Sequence, residues 1–118
     1  MNPLGFVEGV FFSVLTEYER EPQITAGEEL KIKITLLPNK NCVSHRHYAL
    51  RWFLPDGWTV SGKKGLYLCA PAYPRTKNDN VEVTLTAGEA VEAQNRLVLE
   101  VACEGCPMPV YVPLMILG

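Results

Sequence analysis

Apolar and polar residues alternate without a break through Leu30, Lys31, Ile32, Lys33, Ile34, Thr35 and Leu36. A period of two sends successive side chains to opposite faces, so this segment is a β-strand with one face in water. Thr25, Ala26, Gly27 and Glu28 precede it as a turn, and Pro38, Asn39, Lys40 and Asn41 end it as a loop. An opening strand is expected over residues 11–18, with Phe12, Val14 and Thr16 on one side and Phe11, Ser13 and Leu15 on the other. Over residues 47–54, Tyr48, Leu50, Trp52 and Leu54 share the expected core face, while Ala49, Arg51 and Phe53 share the other.

Pro55, Asp56 and Gly57 then impose a turn, because proline presets its own φ and glycine tolerates a positive one. Trp58 and Val60 begin the next extended piece, and residues 66–69 form a short apolar run. Pro71 and Pro74 exclude a regular central strand, and residues 77–80 read as a polar loop. Alternation resumes over residues 81–85. A second Thr-Ala-Gly-Glu turn at residues 86–89 matches the one at 25–28, and convergent turn chemistry explains the match better than duplication. Each copy is expected to start the chain into a strand. Residues 87–97 are the one stretch where a helical turn would be no surprise.

Leu97, Leu99, Val101 and Cys103 mark the inward side of a later strand, and Val110, Val112, Leu114 and Ile116 that of the last. Pro113 inside the last strand marks an edge or a strand end. About seven short strands, with turn signals every 8 to 12 residues or so, predict an all-β, immunoglobulin-like antiparallel β-sandwich. Composition agrees with one folded domain over residues 1–118: the chain is 47% hydrophobic and 20% charged. A chain of this length buries roughly two-thirds of its unfolded surface, so the four cysteines are not required as staples.

Eleven basic and thirteen acidic residues leave a formal charge of −2, with no broad attraction for nucleic acid. No apolar stretch approaches the roughly 20 residues of a spanning helix, so no membrane partner is expected. The N-terminus has no basic region and carries Glu8 where a signal peptide needs an apolar core. With cysteines that show no disulfide framework, the expected compartment is the cytoplasm, or the exterior if a parent protein supplies a signal.

The order of Ala26-Gly27-Glu28, an alternating strand, the Leu54-Pro55-Asp56-Gly57-Trp58-Thr59-Val60 corner, and Ala87-Gly88-Glu89 before late strands resembles a known family. It is similar to the α-galactosidase-associated sandwich module, also called the NPCBM-associated domain, over residues 24–117. Alanine stands at positions 26 and 87 where that family typically has proline. The resemblance implies an immunoglobulin-like module that accompanies a catalytic domain, often a glycoside-processing one, and it transfers no catalytic residue. Residues 1–23 contain the opening strand and read as a junction to another domain. The opening segment, residues 2–12, resembles the C-terminal segments of bacterial ADP-ribosylglycohydrolase-like proteins, which implies a parent enzyme with its active site elsewhere.

Cys103-Glu104-Gly105-Cys106 is the sharpest local motif, since two thiolates so spaced can bind zinc or close a disulfide. Zinc would need further ligands, for which His45 and His47 are placed by their alternate spacing, with Cys42 as a third candidate. Buried, incidental thiols are the plainer reading. No nucleophile elbow surrounds Ser44 or Ser61, and there is no glycine-rich phosphate loop, so no catalytic residue and no cofactor are expected. Trp52, in phase with Tyr48, and Trp58, at the corner, read as core. Tyr67 and Tyr73 are the candidates for stacking on a sugar. The sequence thus predicts a non-enzymatic accessory domain whose partner is the catalytic domain of its own parent chain. A carbohydrate-binding module and a small zinc protein are the alternatives. An accessory domain should display an apolar patch on one sheet or at its N-terminal edge.

Overall fold

A computed structural model of the chain describes residues 4–9, 12–38, 46–62, 65–68, 79–103 and 109–118. Among them lie nine strands and no helix: β1 (Leu4–Glu8), β2 (Phe12–Tyr18), β3 (Glu29–Pro38), β4 (Arg46–Phe53), β5 (Thr59–Gly62), β6 (Gly65–Leu68), β7 (Asp79–Thr86), β8 (Gln94–Cys103) and β9 (Val110–Leu117). They form a five-stranded sheet, β1-β2-β3-β7-β5, and a four-stranded sheet, β6-β4-β8-β9, with every neighbouring pair antiparallel. The arrangement is an immunoglobulin-like sandwich, with β2-β3-β7-β5 facing β4-β8-β9 and β1 and β6 added at edges.

The period-two pattern holds wherever it was clearest. Leu30, Ile32, Ile34 and Leu36 of β3 are buried, as are Val81, Val83 and Leu85 of β7, Leu97, Leu99 and Val101 of β8, and Val110, Val112, Leu114 and Ile116 of β9. Register explains the coherence of these sets. Ile32 stands opposite Val83 and Tyr18, and Leu99 opposite Val112 and Trp52, so one phase error would turn a whole strand's apolar set to water. Phe12 of one sheet meets Tyr48 of the other edge-to-face, with ring centroids 4.7 Å apart, and this pair ties the two layers together.

Several expectations are corrected. Residues 11–18 do not open the sheet, because β1 precedes β2 and pairs with it from Leu4 opposite Glu17 to Glu8 opposite Ser13. Five residues with a glycine at the second position give too short an alternation to be read unaided. No helical turn forms over residues 87–97; the connection is irregular, bending at Glu89 and Ala93, and β8 begins at Gln94. The polar segment 77–80 already enters β7 at Asp79. Pro113 does lie on an edge strand, where the absence of an N–H breaks no ladder on the open side.

The two Thr-Ala-Gly-Glu segments meet in space. Gly27 N–H donates to the Ala87 carbonyl at 3.2 Å, and Ala87 N–H donates to the Glu28 carbonyl at 3.0 Å. Only the first leads directly into a strand, since the second ends β7 and starts the connection to β8. Gly57, at φ +82°, closes the third turn of this cluster with Trp58 N–H donating to the Pro55 carbonyl at 3.1 Å. The Trp58 indole then plugs this end of the sandwich, 5% exposed, its Nε1–H donating to the Ala90 carbonyl at 3.1 Å.

Candidate interaction surface

The residues singled out for chemistry fall largely outside the described residues. Tyr73, His45, Cys42 and Cys106 are there entirely. Tyr67, His47 and Cys103 are described in their backbone alone, and the register sets His47 of β4 opposite Tyr67 of β6 and Tyr48 opposite Cys103 of β8. The sheet thus brings the chain near 47 and the chain near 103 onto neighbouring strands. Among the described residues there is no group of three or more His, Cys, Asp or Glu side chains able to hold a metal ion. Trp52 is half-buried against the core and Trp58 buried within it, so neither offers a free stacking face.

What the described residues do present is a difference between the two outer faces. On the five-stranded sheet, Glu17, Lys33 and Glu82 stand in one cross-strand row, beside Lys31 opposite Thr84 and Glu29 opposite Thr86. Charges of opposite sign alternate along that row, and the row beside it sets exposed Phe6 opposite Leu15 toward the β1 edge. On the four-stranded sheet, one row is Phe53, Val98 and Pro113, with Ala49 opposite Ala102 and Arg96 opposite Met115 on either side. Phe53 is 43% exposed and Tyr111 52%, and Ala49 and Pro113 are exposed beside them.

The polar groups on this face are organised around its aromatics. The Arg51 guanidinium lies over the Phe53 ring, 5.1 Å from its centroid. Tyr111, opposite Glu100 in the register, donates its hydroxyl to the Glu100 carboxylate; this bond, and then the negative charge, lift the phenol above its ordinary value, while Arg51 pulls it the other way. The row Arg51, Glu100, Tyr111 is therefore one connected polar band across a surface whose neighbouring row, Phe53, Val98 and Pro113, is apolar.

The alternation held the signal for this surface. Phe53 shares the outward phase with Ala49 and Arg51, and Tyr111 falls between inward Val110 and Val112. That Phe53 and Tyr111 occupy one patch follows from the pairing of β4 with β8 and β8 with β9, which a single strand's pattern does not contain. At the N-terminal edge, Phe6 on β1 is also exposed, at 55%.

No protein-family model matches the chain, and no curated protein is significantly similar to it in sequence. Solved structures do share its architecture. A FixG-related protein from Vibrio parahaemolyticus is similar with a TM-score of 0.67 at 11% identity, over 88% of this chain and 93% of that one. The GAE domain of GGA2p from Saccharomyces cerevisiae is similar with a TM-score of 0.57 at 10% identity, over 98% of this chain and 97% of that one. At such identities the likeness establishes the fold.

The described surface also carries two shallow open depressions. One, of about 380 Å³, lies beside Arg20, Gln23 and Thr25. Arg20 is fully engaged there, donating to the carbonyls of Gln23 and Glu29 at 2.6 and 2.7 Å and pairing with Glu28 at 3.5 Å. The other, of about 480 Å³, lies over the turn cluster between Gly27, Asp56, Gly57 and Glu89. Neither encloses a ligand-sized volume behind a narrow mouth.

Proposed function

We propose that this chain is a non-catalytic accessory module that docks protein on the outer face of its four-stranded sheet. The observation that carries the reading is the difference between the two outer faces: a charged row crosses the centre of one, with Phe6 and Leu15 toward its β1 edge, while an aromatic and aliphatic patch crosses the centre of the other. Contiguous exposed apolar area of this kind is a feature of protein-docking surfaces. The likeness to a GAE domain, itself one domain of GGA2p, supports a module within a larger protein. The resemblance to NPCBM-associated and ADP-ribosylglycohydrolase-like sequences points to a glycoside- or ADP-ribose-processing enzyme as that larger protein, its catalytic domain being the partner.

Hydrogen exchange on the full reading frame that contains this chain, compared with residues 1–118 alone, tests the reading. Peptides covering β4, β8 and β9 are expected to gain protection in the longer chain, or on self-association, while β3 and β7 do not. Equal exchange of both faces under all conditions overturns it. A carbohydrate-binding role draws on the same exposed Phe53 and Tyr111 and on Tyr67 and Tyr73. Binding on a glycan array that Tyr111→Ala abolishes would favour that reading over protein docking.

A further inference from the structure

β9 ends the four-stranded sheet, and the ladder fixes which of its backbone groups look away from β8. Leu117 N–H donates to the Pro22 carbonyl at 2.8 Å, and the Leu117 carbonyl accepts from Ile24 N–H at 2.9 Å. Residues 22–24 therefore already pair, in parallel, with the last residue of this edge. A residue's N–H and C=O share one side of a strand, and the side alternates along it. Tyr111, Pro113 and Met115 thus turn theirs outward as Leu117 does, while Val112, Leu114 and Ile116 turn theirs to β8. The outward backbone groups of those three have no partner among the described residues.

Edge strands of stable proteins are kept short or charged. β5 and β6 have four residues each and β1 carries Glu8, whereas β9 runs eight residues without a charge. The apolar layer also thins beside it. β1, the edge of the other sheet, comes near enough that a Cβ on Gly9 would lie 2.8 Å from the Val110 side chain. Val7 of β1 shares the inward phase of Val14 opposite it, yet it is only half-buried where Val14 is fully buried.

We propose that an extended segment of the partner protein adds a fifth strand to this sheet, paired with β9 along Tyr111, Pro113 and Met115. This rests on the reading of the chain as a protein-docking module and gives the form the partner takes at the rim of the docking face, where the Phe53, Val98 and Pro113 row ends. Backbone groups at strand spacing are recognised by the backbone of another strand, so the occupant is an extended peptide. Its inward side chains cover Val7 and its outward ones lengthen the apolar row, so it is apolar at alternate positions on both faces. A second copy of β9 is the wrong occupant. Pro113 offers a carbonyl but no N–H, and in a two-fold antiparallel pairing of β9 with itself that gap enters from both strands. A foreign strand meets it once.

Hydrogen exchange resolved to single amides, on the protein of the full reading frame and on residues 1–118 alone, is the test. The Tyr111 and Met115 amides are expected to exchange fast in residues 1–118 and about a hundredfold more slowly in the full protein. Val112 and Leu114, bonded to β8, should be slow in both. Met115→Pro deletes the open-side N–H and breaks no bond to β8, whereas Met115→Ala removes the side chain and keeps the donor. In the full protein, Met115→Pro should speed exchange at Tyr111 by about tenfold or more, and Met115→Ala should leave it within about threefold. Thermal melts by circular dichroism show whether each variant folds; should Met115→Pro fail to, the wild-type comparison decides alone. Equal rates at Tyr111 and Met115 in the two wild-type proteins overturn the added strand. Protection that appears in residues 1–118 alone and grows with concentration assigns the edge to a second copy and overturns it as well. If β4 and β8 gain protection while Tyr111 and Met115 do not, docking on the face stands and the strand falls; the converse keeps the strand and removes the face.

Discussion

Asn95, the second residue of β8, is buried, 3% exposed, and both ends of its amide are engaged. Its Oδ1 accepts from Glu92 N–H at 2.9 Å, and its Nδ2 donates to the Glu92 and Ile116 carbonyls, each at 2.9 Å. The side chain thus closes the connection before β8 on itself and fastens it to β9. Asn95→Ala deletes three hydrogen bonds worth about 1 kcal/mol each. The Glu92 groups lie at an exposed position and regain water, whereas Ile116 is buried and its carbonyl loses a partner. The expected loss is about 2–3 kcal/mol, or roughly 10 °C in Tm for a domain of this size. Urea titration followed by tryptophan fluorescence measures it, with the slope of the transition unchanged. Asn95→Asp sharpens the test. It keeps the acceptor for Glu92 N–H but turns a second oxygen toward two carbonyls, so at pH 7 it should be at least as damaging as alanine. Its penalty should shrink in acid, once a protonated carboxyl can donate one bond. A loss under about 0.5 kcal/mol for alanine, or an aspartate variant as stable as wild type, would refute the account of this network.

The turn cluster predicts unequal costs for two glycines, since a Cβ on Gly88 would come within 2.9 Å of the Gly57 carbonyl carbon and oxygen, whereas one on Gly27 meets nothing within 4 Å but sits at φ +75°. Gly88→Ala should therefore lose about 2–3 kcal/mol by forcing two backbones apart, and Gly27→Ala only about 1, both read from urea midpoints; the reverse order would contradict the packing described. The Tyr18 phenol, 6% exposed, is pushed up to about 12 by burial. An acid whose folded value lies above its unfolded one binds its proton longer in the folded state, so stability is intact below pH 10 and declines between about 10 and 12. Thermal melts over that window should show the decline, and Tyr18→Phe should flatten it; an unchanged slope in the variant would assign the alkaline loss to other groups.

The strands with long, clean alternation were legible from the sequence, β3 and β9 above all, because half-buried strands must keep one phase to bury one face. The corner at Pro55, Asp56, Gly57 and Trp58 was legible for a related reason, since its turn demands a residue able to hold positive φ. β1 was not, being five residues long with Gly5 inside it, nor was the irregular path through residues 87–93. There Asn95 replaces helical hydrogen bonds with side-chain ones, and no local propensity announces that. The repeated Thr-Ala-Gly-Glu was visible as two like turns, while their hydrogen bonding to each other was not, because their separation along the chain carries no information about their distance in space.

Along each strand, the sequence by itself determined which residues look inward, since side-chain direction is a local consequence of backbone pleat. It therefore fixed the all-β class, the two-layer core and the outward phase of Phe53, Arg51 and Tyr111. Only the tertiary structure decided that these three lie together, because adjacency across a sheet depends on which strands pair and in what register. The same pairing set Glu17, Lys33 and Glu82 of the five-stranded sheet into one row of alternating charge and gathered Phe53, Val98 and Pro113 into an apolar row on the four-stranded sheet. The function proposed here rests on that difference, a property of strand order and register rather than of any one segment.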